Sequence, residues 1–242
     1  AFSSPFDEAA VDFLESLNVP AYKVASFELT DTPLIQKVAK TGKPLIMSTG
    51  MASISEIEEA VAAAKDAGAK DIVLLKCTST YPASPENTNL MTIPDMANKF
   101  GCAVGLSDHT LGIGVAVASV VLGACVIEKH FVLDRNAGGV DAAFSLEPDE
   151  FKLLVDSVGV AHQAMGDVVY GGTAAEEKSK YYRRSIFAKK DIQPGEHFTR
   201  ENIQIVRPAI GLQPKHFNRV LSASARNALK AGDAIFDKDL SE

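Results

Sequence analysis

The sequence predicts an α/β fold of the (β/α)8 TIM-barrel type followed by a smaller β-rich domain, and three observations carry that reading. Short, β-rich apolar runs alternate with longer helical patterns up to about residue 170. The runs are apolar almost throughout, as in a parallel sheet whose two faces are both covered. Each run also closes on polar residues. In a barrel the carboxyl ends of all strands converge on one face, where the active site is built. A doubly wound sheet gathers ligands only at its switch point, so polar endings on consecutive strands favour the barrel.

The candidate strands are 21–25, 44–47, 71–77, 102–106 and 124–127. The first carries Lys23 and runs into Ser26 and Glu28. The second ends on Ser48-Thr49-Gly50 and the third on Thr78-Ser79-Thr80-Tyr81. Ser107-Asp108-His109 close the fourth and Glu128-Lys129-His130 the fifth. Between them the helical patterns are clearest over 55–67 and 112–122. The first has N-cap chemistry in Ser53-Ile54-Ser55-Glu56 and a C-terminal stop in Gly68.

Composition narrows the function. At 242 residues the chain can bury a sizeable core. Its 24 basic and 31 acidic residues leave a net charge of −7, and basic residues cluster only at Arg183-Arg184 and Lys189-Lys190, which argues against nucleic acid as a partner. No apolar run is long enough to span a membrane and no signal-peptide pattern appears, so the chain reads as soluble and cytoplasmic. The three cysteines, Cys77, Cys102 and Cys125, sit in or beside strand-like runs without metal-site spacing, and read as reduced core thiols.

The strand ends suggest two kinds of ligand. The hydroxyls of Ser26, Ser48, Ser79 and Ser107, with the Lys23 ammonium, make a cradle of donors suited to phosphate. His109 and His130, at matching ends of neighbouring strands, could share one divalent metal with positions left open for substrate oxygens. A lone serine there is ordinarily a turn or cap residue, and a lone histidine a satisfied structural one. It is their number at one face that points to a ligand. His162, His197 and His216 lack that setting and are read as structural.

The segments "SPFDEAAVDFL", "KVASFE", "MSTGMAS", "GLSDHT" and "EKHF…DR", in this order, resemble the sialic acid synthase family, which condenses phosphoenolpyruvate with an N-acyl amino sugar to form a nonulosonic acid. "GGVDAAFSLEPDEF" (138–151) and "VRPAIGLQPKHF" (206–217) are most similar to the pseudaminic acid synthase branch, with legionaminic and neuraminic acid synthases as competitors. The resemblance implies that His109 and His130 hold Mn2+ or Mg2+, and that Lys23, Ser26, Ser48 and Ser107 bind phosphoenolpyruvate. Ser79 stands where family members tend to carry Asn. The resemblance further implies that Tyr81 touches the sugar, that Glu28 and Asp141 lie near its hydroxyls, and that Arg207 reaches its N-acyl group.

Residues 1–169 are thus expected to form part of a barrel, 170–182 a polar linker, and 183–242, with its short β-like runs and Pro-Gly turns, a domain that resembles the antifreeze-like (SAF) domain of that family. In the family this domain caps the barrel of the partner subunit, which implies a domain-swapped homodimer. A barrel needs eight strands and five are found. "AFSSPFD" resembles the end of the family's third strand, so the chain is expected to be an N-terminally truncated member, lacking an acidic residue near the metal and a lysine for phosphoenolpyruvate. Two other readings are a non-catalytic fragment with idle motifs and a different phosphoenolpyruvate- or phosphosugar-using barrel, which would leave the SAF-like tail unexplained.

Overall fold

In a computed structural model of the chain, residues 1–241 are described. They fall into two compact units, 1–166 and 167 onward.

In the first unit β-strands and α-helices alternate: α1 (Glu8–Ser16), β1 (Tyr22–Val24), α2 (Thr32–Ala39), β2 (Leu45–Ser48), α3 (Ile54–Asp66), β3 (Ile72–Cys77), α4 (Thr92–Phe100), β4 (Ala103–Asp108), α5 (Gly114–Val121), β5 (Val126–Lys129) and α6 (Pro148–Met165). The strands form one parallel sheet in the order β1-β2-β3-β4-β5, the curled half of a (β/α) barrel. All five lie where the sequence places them, within two residues at either end. Helix α3 begins at a capping box in which Ser53 and Glu56 exchange hydrogen bonds, satisfying amide groups the helix cannot satisfy itself.

Register sorts the side chains into two rows, because successive residues of a strand face opposite sides and paired residues share a side. One row contains Tyr22, Val24, Leu45, Met47, Leu74, Val104 and Leu106. These residues pack with Leu34, Ile35 and Val38 of α2, Ala60 and Ala64 of α3, and Ile93 and Met96 of α4 into the core. The other row contains Lys23, Ser48, Leu75, Cys77, Gly105, Ser107 and Glu128. None of these belongs to that core. The expectation of helices on both faces is therefore corrected. The helices cluster on one face, as in a barrel wall, and the other is the inner face. Gly105 is required on it, since a Cβ there would lie 2.3 Å from Val126 O and 2.6 Å from a Leu75 methyl.

The cysteine reading also needs correction. Cys77 is buried, but Cys102 is half-buried and Cys125 exposed. Cys125 precedes β5, the last strand of the sheet, which no sixth strand among the described residues flanks.

The second unit begins with 3-10 turns over Ala174–Tyr182, inside the polar segment read as a linker, started by a capping box of Thr173 and Glu176. Two small antiparallel sheets follow, β6 (Ser185–Ala188) with β7 (Ile203–Val206) and β8 (Ser224–Ala225) with β9 (Leu240–Ser241), together with helix α7 (Phe217–Leu221). Ile186, Ile192, Phe198, Val220, Leu229 and Ile235 form their common core. The Pro194-Gly195 turn closes with Glu196 N donating to Gln193 O at 3.0 Å, and Gly195 supplies the positive φ of +82° that such a turn requires. Among the described residues no helix is long and apolar enough to cross a membrane.

Candidate active site

The inner row ends in two polar clusters at the carboxyl edge of the sheet. The first surrounds Gly50, just beyond β2. Its N–H donates to Ser26 Oγ at 3.2 Å. A Cβ on Gly50 would lie 2.2 Å from Ser79 Oγ, 2.7 Å from Ser26 Oγ and 3.2 Å from Cys77 Sγ, so a residue without a side chain is what lets these three groups converge. Because Ser26 Oγ accepts the Gly50 N–H, its own hydrogen can be donated to Cys77 Sγ.

Cys77 Sγ lies 3.7 Å from Ser79 Oγ and 3.9 Å from His109 Nδ1. Burial pushes the thiol up, but contacts with His109, Ser26 and Ser79 outweigh it and bring its pKa down to about 7.

The second cluster centres on Glu128. Ser107 Oγ donates to Glu128 Oε1 at 2.6 Å, and Lys23 Nζ lies 3.6 Å from Glu128 Oε2 while donating to Val24 O at 3.3 Å. Lys23, Ser48 and Ser107 are all buried, at 6%, 2% and 3% exposure. Two buried side-chain atoms have no hydrogen-bond partner among the described residues, Ser48 Oγ and Glu28 Oε2. A buried polar atom left unpaired is costly; Ser48 closes β2, and Glu28 lies in the 3-10 turn that follows β1.

The histidines lie at the rim with their ring centroids 5.2 Å apart. Tyr81 packs 4.4 Å from His109 and 6.1 Å from His130, and Phe144 lies 5.0 Å from His130. Asp141 Oδ2 is 3.5 Å from His130 Nδ1. Burial, then His109 nearby, push the His130 pKa down. For His109 burial is outweighed by contacts with Cys77 and Thr78 O, which raise its pKa. His109 Nδ1 sits 3.0 Å from Thr78 O; donating there leaves Nε2 as the free lone pair, the arrangement a metal-binding imidazole uses. No third His, Cys, Asp or Glu joins them to make a metal-binding group among the described residues. His109 and His130 are the two imidazoles of this edge that could hold a divalent ion.

Of the residues singled out from the sequence, Lys23, Ser26, Glu28, Ser48, Ser79, Tyr81, Ser107, His109, His130 and Asp141 all belong to this edge of the first unit. Arg207 belongs to the second, where it is exposed, just before the cis Arg207–Pro208 bond. Sequence reading passed over Gly50, Cys77, Phe144 and the central place of Glu128. Strand alternation counted back from Ser79 and His130 would have put Cys77 and Glu128 in the same phase as those residues; the role of Gly50 rests on contacts between loops that no spacing reveals.

Residues 1–170 match the NeuB family and residues 183–241 the SAF domain. A pseudaminic acid synthase of Campylobacter jejuni is 44% identical over 98% of this chain and 69% of its own length. An N,N'-diacetyllegionaminic acid synthase of the same species is 42% identical over 96% and 71%. The solved structure of the spore coat polysaccharide biosynthesis protein SpsE of Bacillus subtilis superposes with a TM-score of 0.66 and 34% identity, covering 100% of this chain and 73% of that one. The chain therefore belongs to the NeuB family of nonulosonic acid synthases and is an enzyme of that family, its barrel strands followed in sequence by a SAF domain.

Proposed function

We infer that the protein condenses phosphoenolpyruvate with an N-acyl amino sugar and releases phosphate, and that the product is pseudaminic acid, with N-acetylneuraminate and legionaminate the next candidates. The observation that carries this is the inner row itself: Lys23, Ser48 and Ser107 are buried on one face, beside the Ser26–Gly50–Ser79 cluster and below a pair of histidines. Pseudaminic acid is favoured because a relative of that name shares 44% of its residues with this chain.

In this reading Lys23 and the hydroxyls of Ser26, Ser48, Ser79 and Ser107 hold the phosphate and carboxylate of phosphoenolpyruvate. Ser48 Oγ has a hydrogen free to donate, and fixed donors in a water-poor site bind anionic oxygens without having to reorganise. Glu28, through its unpartnered Oε2, accepts from a sugar hydroxyl, and Asp141 does so beside His130. Tyr81 and Phe144 form the wall on which the open-chain sugar lies. C3 of phosphoenolpyruvate then bonds to the sugar's aldehyde carbon, water adds at C2, and the C2–O bond to phosphate breaks. Mn2+ or Mg2+, held by His109 and His130, would supply Lewis-acid polarisation of the aldehyde oxygen.

The SAF domain, in the same reading, closes the site of a partner subunit and brings Arg207 to the N-acyl group. The function is tested by mass spectrometry of the products formed from phosphoenolpyruvate and a panel of N-acyl amino sugars. A nonulosonic acid from the diacetylated precursor of pseudaminic acid is the expected result; turnover of another sugar alone would move the assignment to that branch, and no condensation with any would refute it.

A further inference from the structure

His109 and His130 follow directly on the last paired residues of β4 and β5, Asp108 and Lys129. From there the two backbones turn to different loops. His109 O accepts from Ala83 N at 2.9 Å, and His130 O accepts from Leu146 N at 2.9 Å. The ladder thus stops one residue short of the two rings that must stand at a fixed separation. The residues that bridge the strands at this point project from the opposite face of the sheet.

Lys129 Nζ donates to Asp108 Oδ2 at 2.7 Å and also to Thr110 O. Asp108 Oδ1 in turn accepts from Thr110 N at 2.9 Å and from Thr110 Oγ1 at 2.8 Å. One side chain of β5 therefore grips the residue before His109 and the residue after it. The ion pair is sealed from water, with the Lys129 and Asp108 side chains 1% and 0% exposed. A buried pair is an inefficient source of stability, since apolar residues of like volume often serve as well. It does impose one arrangement, because every alternative leaves a buried charge unpaired.

We propose that Asp108 and Lys129 are positioning residues for the candidate metal site: they bracket His109 from β5 and set its ring against that of His130. The proposal rests on the reading of these two histidines as a metal-holding pair. Neither Asp108 nor Lys129 faces the ligand side of the sheet, so both act only through the histidines that follow them.

The test is the double variant Asp108→Asn/Lys129→Met, which removes both buried charges at nearly constant volume, alongside Lys129→Arg, which keeps the charge but alters the reach. Two readouts apply to each variant: Mn2+ affinity by electron paramagnetic resonance, and the imidazole 15N signals of His109 and His130 in metal-free protein. The double variant should melt within a few degrees of the parent, bind Mn2+ roughly tenfold or more weakly, and show shifted or doubled imidazole signals. Lys129→Arg should show a smaller change in the same direction, and it decides the matter if the double variant does not fold. A folded variant with parental Mn2+ affinity and parental imidazole signals would overturn the proposal. If the parent itself binds no Mn2+, the metal reading fails separately, and the metal-free spectra alone decide whether the ion pair places the rings.

Discussion

Gly50 shows how much of the site depends on a missing side chain. In Gly50→Ala the new Cβ would meet the terminal oxygens of Ser26 and Ser79 and, less closely, Cys77 Sγ, all of them side-chain ends that can rotate away. Turning a side chain out of its well costs on the order of 1 kcal/mol, so the fold should survive while the phosphate cradle does not. We expect the KM for phosphoenolpyruvate to rise at least fivefold with a melting point close to the parent's; an unchanged KM would mean that Ser26 and Ser79 do not hold that substrate. Lys23→Ala removes a charge-assisted contact worth roughly 1.5–3 kcal/mol. The KM for phosphoenolpyruvate should then rise tenfold or more and the KM for the sugar much less, and equal losses would point to general disruption. At this scale the sequence placed Lys23, Ser107 and His130 on or just beyond their strands, because each sits in or beside an apolar run. It was not legible where the decisive contact joins loops distant in the chain, as with Gly50 and Ser79, or where a residue's partner is known only from register, as with Glu128 and Ser107.

At the scale of elements, local signals and tertiary burial agreed closely. The predicted helix 55–67 is α3, Ile54–Asp66, because Ser53 and Glu56 define its start whatever the core does. Ser53→Ala should lower stability by about 1 kcal/mol, a drop in melting point of about 2–4 °C, without altering either KM; a KM change would tie α3 to the site. The strands were found because their runs are apolar and β-rich, yet the predicted ends of β2, β4 and β5 fall short by one or two residues. Ser48, Ser107, Asp108, Glu128 and Lys129 are polar, and a reading based on apolarity stops before them, although the backbone ladder continues. Helical cover on one face rather than two was equally hidden, since Leu75 and Val73 on the inner row are as apolar as Leu74 and Ile72 on the outer.

For the whole molecule, the proposed exchange of SAF domains in a two-fold dimer makes a complementation experiment possible. Arg207→Ala and His109→Ala proteins should each be nearly inactive. Mixed dimers would pair the intact barrel of the first with the intact SAF domain of the second and regain one working site. If native mass spectrometry shows mixed dimers and activity stays at the level of the single variants, Arg207 does not act in trans. Composition marks residues 170–182 only as a polar segment; the capped 3-10 turns of residues 174–182 within it were not visible, since few apolar residues mark them. The two-row alternation of the sheet also bears on how this protein can change over evolutionary time. Each strand is a reading frame of two, with site residues in one phase and core residues in the other. Deleting Ile127 would carry Val126 into the core phase or Lys129 into the position of Glu128, placing an ammonium where Ser107 expects a carboxylate, whereas Ile127→Val would keep both phases. Losing Gly138, in the loop beyond β5, shifts no strand phase. A scan of single-residue deletions should therefore find the strands intolerant and such loops permissive, so that variation in length accumulates in loops while the strands change only by substitution.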